Sequence, residues 1–252
     1  MKKRKKFSIS QTVIYLVLSL WALTTIYPIL WIIQNSFKAK DKILENSFSL
    51  PIGELFTTAN YRTAFDRLNI FSAYRNSMII SCTVAAAVIL LAGLAAFALV
   101  RFSFKGRELL QSLVVAGMMF PVFSTIIPVF TMLNSWHLVN TDNLLKSLMA
   151  VALPQIAGNL SFATVAIFSF LWSYNDLFTQ MFLLRLPEQR AITRLLNELT
   201  AMEGTNYGLM AAAVALVVIP VIIVYCILQK VYYKRNDGGG HQRVIQGVNA
   251  YV

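Results

Sequence analysis

Apolar residues in this chain fall in long blocks, not at the spacing of an amphipathic helix and not in the alternation of a half-buried strand. Such blocks cover residues 12–33, 77–100, 109–133 and 208–228. A helix needs about 20 apolar residues to cross a hydrocarbon core ~30 Å thick, so each block predicts one membrane span. A further stretch, 143–187, is almost entirely apolar and of an awkward length. It is too long for one crossing and leaves little room for two. As a hairpin turning at about Gly158, Asn159, Leu160 and Ser161, its first arm would span only ~22 Å. We read it as a hairpin or re-entrant pair. The fold class expected is all-α, a polytopic helical membrane protein with five to six transmembrane segments.

Polar stretches separate the blocks. Residues 36–75 carry mixed charge and turn residues, with a short amphipathic helix expected over 60–68. The loop 134–143 and the stretch 188–207, like 36–75, are read as external connections. Asn236, Asp237 and three glycines make a flexible joint before the tail. The resulting division is a basic N-terminus (1–10), a membrane domain (11–235) and a tail (236–252).

Composition agrees with the pattern: 57% of the 252 residues are hydrophobic and 13% charged, where soluble domains carry roughly 25% charge. The net charge of +11 raises the question of nucleic acid, but its placement answers it. Lysine and arginine gather at residues 2–6, at Arg101, Lys105 and Arg107, and at Lys230, Lys234, Arg235 and Arg243. These flank spans, as the positive-inside rule requires of cytoplasmic segments. Residues 2–6 followed by an apolar run imitate a signal peptide, but the run is too long and no A-x-A-like cleavage site follows. An uncleaved first span with a cytoplasmic N-terminus is expected. The two cysteines, Cys82 and Cys226, lie within spans and read as small buried hydrophobes.

Candidate chemistry is sparse. No phosphate-binding loop, nucleophile elbow or H-E-x-x-H zinc motif occurs. His137 has no second ligand spaced to join it and reads as a loop residue. The third block contains Pro121 and Pro128, and proline in a membrane helix kinks it and frees backbone carbonyls. Such a helix either lines a pathway or is bent only to pack. Asn175 and Asp176 stand at the end of an apolar run, where a carboxylate marks function or the water boundary. Trp172 and Tyr174 offer faces for a sugar and serve equally well as interfacial aromatics.

Several stretches, taken in order, resemble one family, the membrane-spanning permease subunit of bacterial carbohydrate ABC importers of the maltose-transporter type. They are Asn60-Tyr61, Asn76-Ser77, Ala95-Ala96-Phe97-Ala98 and RFSFKGR (101–107). Further along come Ile127-Pro128-Val129-Phe130, Leu138-Val139-Asn140-Thr141, ATVAIF (163–168), FLWSYND (170–176) and Val244-Ile245-Gln246-Gly247. The resemblance implies import of a sugar or oligosaccharide, energised by a separate ATPase subunit that uses ATP. It implies no catalysis and no cofactor bound by this chain. It also implies three kinds of partner: a second, non-identical permease chain, cytoplasmic ATPase subunits and an external sugar-binding protein. Pro121, Pro128, Trp172, Asn175 and Asp176 become candidates for the translocation path or gate. Arg101, Lys105, Arg107, Gln246 and Gly247 become candidates for the ATPase contact.

The chain departs from that family in one respect. It contains no Glu-Ala-Ala, and its only Asp-Gly lies in the tail, so the cytoplasmic coupling loop expected between the fourth and fifth spans is missing. The join falls near Ser161, Phe162 and Ala163. A coupling-deficient remnant or assembly subunit is therefore the competing reading. An ion-driven carrier is a weaker third, because the spans hold few ionisable residues.

Overall fold

The computed structural model describes residues 9–117, 122–160, 166–202, 204 and 206–236. Among the described residues eleven α-helices follow one another: α1 (Ile9–Ser36), α2 (Lys40–Glu45), α3 (Ala59–Arg67), α4 (Ile70–Arg101), α5 (Arg107–Gly117), α6 (Val122–Ser135), α7 (Leu144–Leu160), α8 (Ala166–Asn175), α9 (Leu177–Leu183), α10 (Ile192–Met202) and α11 (Tyr207–Asn236). No strand occurs among the described residues. Three of the described helices are long and apolar enough to cross a membrane, over Ser10–Ser36, Ile70–Arg101 and Tyr207–Ile227. The other expected spans are built from shorter helices. The third block is represented by α5 and α6, on either side of a stretch that includes Pro121, which lies outside the described residues.

The chain divides into two units. The first holds Met1–Arg67 and Leu199–Leu216. Its helix α1 buries nothing along its apolar length, an exposure that costs little only in lipid. Thr24 and Thr25 accommodate to that environment by returning their hydroxyls to the carbonyl of Trp21, at 2.8 and 2.6 Å.

Where α1 ends, a buried polar knot ties the following loop. Asn60 donates from Nδ2 to the carbonyls of Ser36 and Lys38, at 2.9 and 2.8 Å. Lys38 is fully buried and donates from Nζ to Asn46 O at 3.1 Å, Ser47 O at 3.3 Å and Ser49 Oγ at 3.1 Å. Gln34 closes the same turn on Ser47 O and Ser49 O. The cation needs no carboxylate, because three neutral oxygens complete its shell. Burial holds the Lys38 ammonium below the usual lysine range. Lys38→Met would remove the charged donor from all three oxygens, leaving Ser47 O to Gln34 and Asn46 O to Ser49, and is expected to lower stability by about 2 kcal/mol, read as a fall in the thermal midpoint in detergent.

The second unit holds Leu68–Glu198 and Val217–Val252. Helix α4 is its axis, packing against both α7 and α8. It starts at Ile70, earlier than the apolar run alone suggests, because Asn69 caps it by accepting from the Ser72 amide at 3.3 Å. One face presents Ala73, Ser77, Ile80, Ser81, Val84 and Val88, all buried. Small residues at i, i+4 spacing there let helices approach closely. The opposite face leaves Ile89, Leu90, Leu94 and Phe97 exposed. Ile80, Val84 and Val88 meet Leu133, Val139, Leu148, Val151, Leu183 and Leu184 in one apolar core.

The long apolar stretch folds back on itself. Gln155 of α7 is hydrogen-bonded to Ser173 of α8, residues that a continuous helix would separate by about 27 Å. Further out, Gln189 Nε2 donates to Thr141 O at 2.6 Å, so the two arms run antiparallel. The reversal is not at Gly158–Leu160 as the turn residues suggest: α7 continues through Leu160. Asn159 is held in the helix by donating to Gln155 O at 2.7 Å. Ser161, Phe162 and Ala163 lie outside the described residues.

One other expectation is corrected. Cys82 and Cys226 are free thiols on outward faces of their helices, not buried ones, since the inward positions on α4 are taken by Ser81, Val84 and Ala85. The polar stretch 188–207 contains the amphipathic helix α10, which buries Ile192, Leu195 and Leu199 at i, i+3 and i+7. His137 is an exposed loop residue, as its isolation suggests.

Candidate functional site

The stretch Trp172 to Asp176 breaks a helix in two. Helix α8 ends at Asn175, and Asp176 begins α9 as its N-cap, Oδ1 accepting from the Thr179 amide at 3.0 Å. The carboxylate thus lies at the positive end of a helix, where its charge is stabilised. Its second oxygen, Oδ2, accepts from Gln155 Nε2 at 2.7 Å.

From Gln155 a chain of side chains runs through four helices. Gln155 Oε1 accepts from Ser173 Oγ at 2.6 Å. Gln180 of α9 donates from Nε2 to Ser173 O at 3.2 Å, and its Oε1 accepts from Thr193 Oγ1 of α10. Ser173 and Gln180 are fully buried and Gln155 nearly so. In such surroundings each bond is stronger than in water and each missing partner more costly. Tyr174, also fully buried, directs its ring toward Phe170 with centroids 6.1 Å apart.

Asp176 is therefore the one candidate path residue that joins this chain. Its neighbours point elsewhere: Trp172 is 66% exposed, and Asn175 is exposed and returns Nδ2 to Leu171 O at 2.9 Å. Helical geometry explains the split, because Ser173 faces α4 and α7 while Trp172 and Asn175 occupy the opposite side. Pro128 lies inside α6 with an exposed ring. The residues that sequence reasoning missed are Gln155, Ser173, Gln180 and Thr193. A polar amide immediately after Pro154 in an apolar run was the available signal, since polar groups within spans are costly without a partner.

A second feature is the basic turn after α4. Phe102 ends the helix by donating to Ala98 O at 3.1 Å, and its ring meets Phe97 edge-on. Gly106 adopts φ +92°, a conformation other residues rarely take, and returns the chain into α5. Arg101 and Lys105 are exposed and Arg107 half-buried. Gln246 and Gly247 lie outside the described residues. Among the described residues no group of His, Cys, Asp or Glu converges to hold a metal ion.

No protein-family profile matches the chain. The diacetylchitobiose uptake system permease protein NgcG of Streptomyces coelicolor is 30% identical over 253 aligned positions, covering 85% of this chain and 83% of the relative. The galactooligosaccharides transport system permease protein GanQ of Bacillus subtilis is 27% identical, covering 90% and 93%. That alignment runs over 267 positions, more than the 252 residues present here, so GanQ carries residues without a counterpart in this chain. Among solved structures, a bacterial ABC transporter involved in the import of the acidic polysaccharide alginate has a chain of the same fold. Its TM-score is 0.66 at 19% identity, with 90% of this chain and 99% of that chain covered.

A broken helix packed on a long apolar one, with outward faces suited only to lipid, defines a helical membrane protein. The likeness to NgcG over most of both chains narrows the class: the chain belongs to the family of carbohydrate ABC transporter permeases.

Proposed function

We propose that this chain imports a sugar or oligosaccharide across a bacterial cell membrane, as one permease subunit of an ABC importer. The relationship to a diacetylchitobiose uptake permease over 85% of the chain carries this reading. A second permease chain completes the pathway, cytoplasmic ATPase subunits supply the energy from ATP, and an external binding protein delivers the sugar. The chain itself makes and breaks no bonds and binds no cofactor.

The N-terminus is placed in the cytoplasm. The basic residues 2–6 precede α1, and exposed Arg101 and Lys105 stand at and just after the end of α4. Two crossings return a chain to its starting side, so both basic groups share one compartment, in keeping with the positive-inside rule. We assign Asp176, with Pro121, Pro128, Trp172 and Asn175, to the translocation path or its gate. A discontinuous helix is a recurrent way to bring polar groups to a membrane site. We place the missing coupling loop between α7 and α8. The turn containing Arg101, Lys105 and Arg107, together with Gln246 and Gly247 in the tail, then supplies the ATPase contact.

The test is ATP hydrolysis by the chain co-purified with its partners, measured with and without binding protein and chito- or galacto-oligosaccharides. Stimulation of several-fold is expected, and it is lost when Arg101 and Lys105 are replaced by Glu. An assembled complex that never responds to sugar would instead indicate a coupling-deficient subunit. Failure to assemble with any ATPase subunit would overturn the reading.

A further inference from the structure

A cluster of arginines stands apart from the path residues. Arg185 follows α9 and lies over the Phe130 ring at 5.9 Å. Arg190 precedes α10 and pairs with Glu198 at 2.5 Å. Arg194, in the first turn of α10, donates from Nη1 to Met181 O at 2.8 Å. These groups are near enough to act on one another. Burial first, then the charge of Arg190 and further that of Arg185, hold the Arg194 guanidinium below its usual range, while Glu198 opposes the shift.

The backbone that presents them is fixed. Asn76, fully buried on α4, donates to the carbonyls of Glu188 and Arg190 at 2.9 and 3.2 Å. Ser77 Oγ, also buried, accepts from the Ile192 amide at 2.8 Å. Thr193 is tied to Gln180. The arginines are therefore displayed by a rigid segment, so little ordering remains to be done on binding.

The charges do not balance. Glu198 is the carboxylate in range of Arg194, and Arg190 already engages it. The Nε donors of Arg190 and Arg194 are both buried and have no hydrogen-bond partner, although a guanidinium normally uses its fork of donors. Arg185 is exposed and Arg190 and Arg194 are half-buried, so part of each side chain meets solvent.

We propose that Arg185, Arg190 and Arg194 form a binding site for an oxyanion, the carboxylate, sulfate or phosphate of an acidic small molecule or of a lipid headgroup. A tetrahedral or planar oxyanion matches the guanidinium fork and accepts from two arginines at once. It also relieves the mutual repulsion that the cluster carries when unliganded. The site does not depend on the transport reading, since it concerns binding to this chain alone.

The experiment uses the full chain in a neutral detergent and follows thermal unfolding and equilibrium binding. Sodium sulfate and glucuronate are titrated against chloride at matched ionic strength and against neutral glucose. A separate arm compares nanodiscs of phosphatidylglycerol with nanodiscs of phosphatidylcholine. Saturable stabilisation by sulfate or glucuronate, weakened about tenfold in Arg185→Gln and in Arg194→Gln, establishes the site with a free anion as ligand. Stabilisation confined to phosphatidylglycerol, and weakened by the same substitutions, establishes it with a lipid headgroup as ligand. Arg185 is exposed, so its variant keeps the test open if Arg194→Gln fails to fold. Equal responses to chloride, or responses the substitutions leave unchanged, overturn the proposal.

Discussion

Gln155→Leu is expected to destabilise the protein by about 3–4 kcal/mol and to abolish most of its sugar transport. The side chain serves two partners, donating to Asp176 Oδ2 and accepting from Ser173 Oγ. Leucine fills nearly the same volume, so the loss is polar and not a cavity. It leaves the Ser173 hydroxyl, fully buried, with no acceptor, and one carboxylate oxygen with no donor. Without that donor α7 no longer holds the break between α8 and α9. The thermal midpoint in detergent reads the stability, and a double-mutant cycle with Asp176→Asn reads the coupling between the two side chains. Trp172→Ala is the contrast. It removes a larger side chain from an exposed position on α8 and should leave the midpoint almost unmoved.

The second large effect is expected in the other unit. A Cβ at position 208 would lie 2.5 Å from the Lys38 carbonyl and 2.7 Å from Asn60 Nδ2. Neither can move freely, because Asn60 donates to that same carbonyl and to Ser36 O. Gly208→Ala should therefore cost about 2–3 kcal/mol, despite the gain of up to ~1 kcal/mol that alanine brings to a helix. Gly93 provides the internal control. Nothing lies within 4 Å of a Cβ there, so Gly93→Ala in α4 should raise stability by about 0.5–1 kcal/mol. Paired unfolding curves of the two variants test the sign directly.

The apolar blocks were legible because membrane thickness sets a length that a sequence displays without reference to anything else. α1, α4 and α11 follow from that length, and the helix over 60–68 from its amphipathic spacing. Asp176 was legible as a carboxylate closing an apolar run. Gln155 was not, because an uncharged amide adds little to a charge-based reading, and its value depends on Ser173 and Asp176 folding back beside it. The turn went astray for a related reason. Gly158 and Asn159 are turn-forming residues, but Asn159 spends its side chain on Gln155 O and stays helical. Gly208 gave no local sign either, since its requirement comes from Lys38 and Asn60, more than a hundred positions away. The family motifs reached further than the local pattern did, and they directed attention to the region that breaks at Asp176.

The role assigned to the chain rests on its working as a coupled permease. The direct measurement is accumulation of a labelled oligosaccharide in proteoliposomes holding this chain with its sister permease, ATPase subunits and binding protein. The account predicts accumulation against a gradient that requires ATP and is lost in Gln155→Leu. A complex that assembles and hydrolyses ATP, yet accumulates no labelled oligosaccharide, would contradict it.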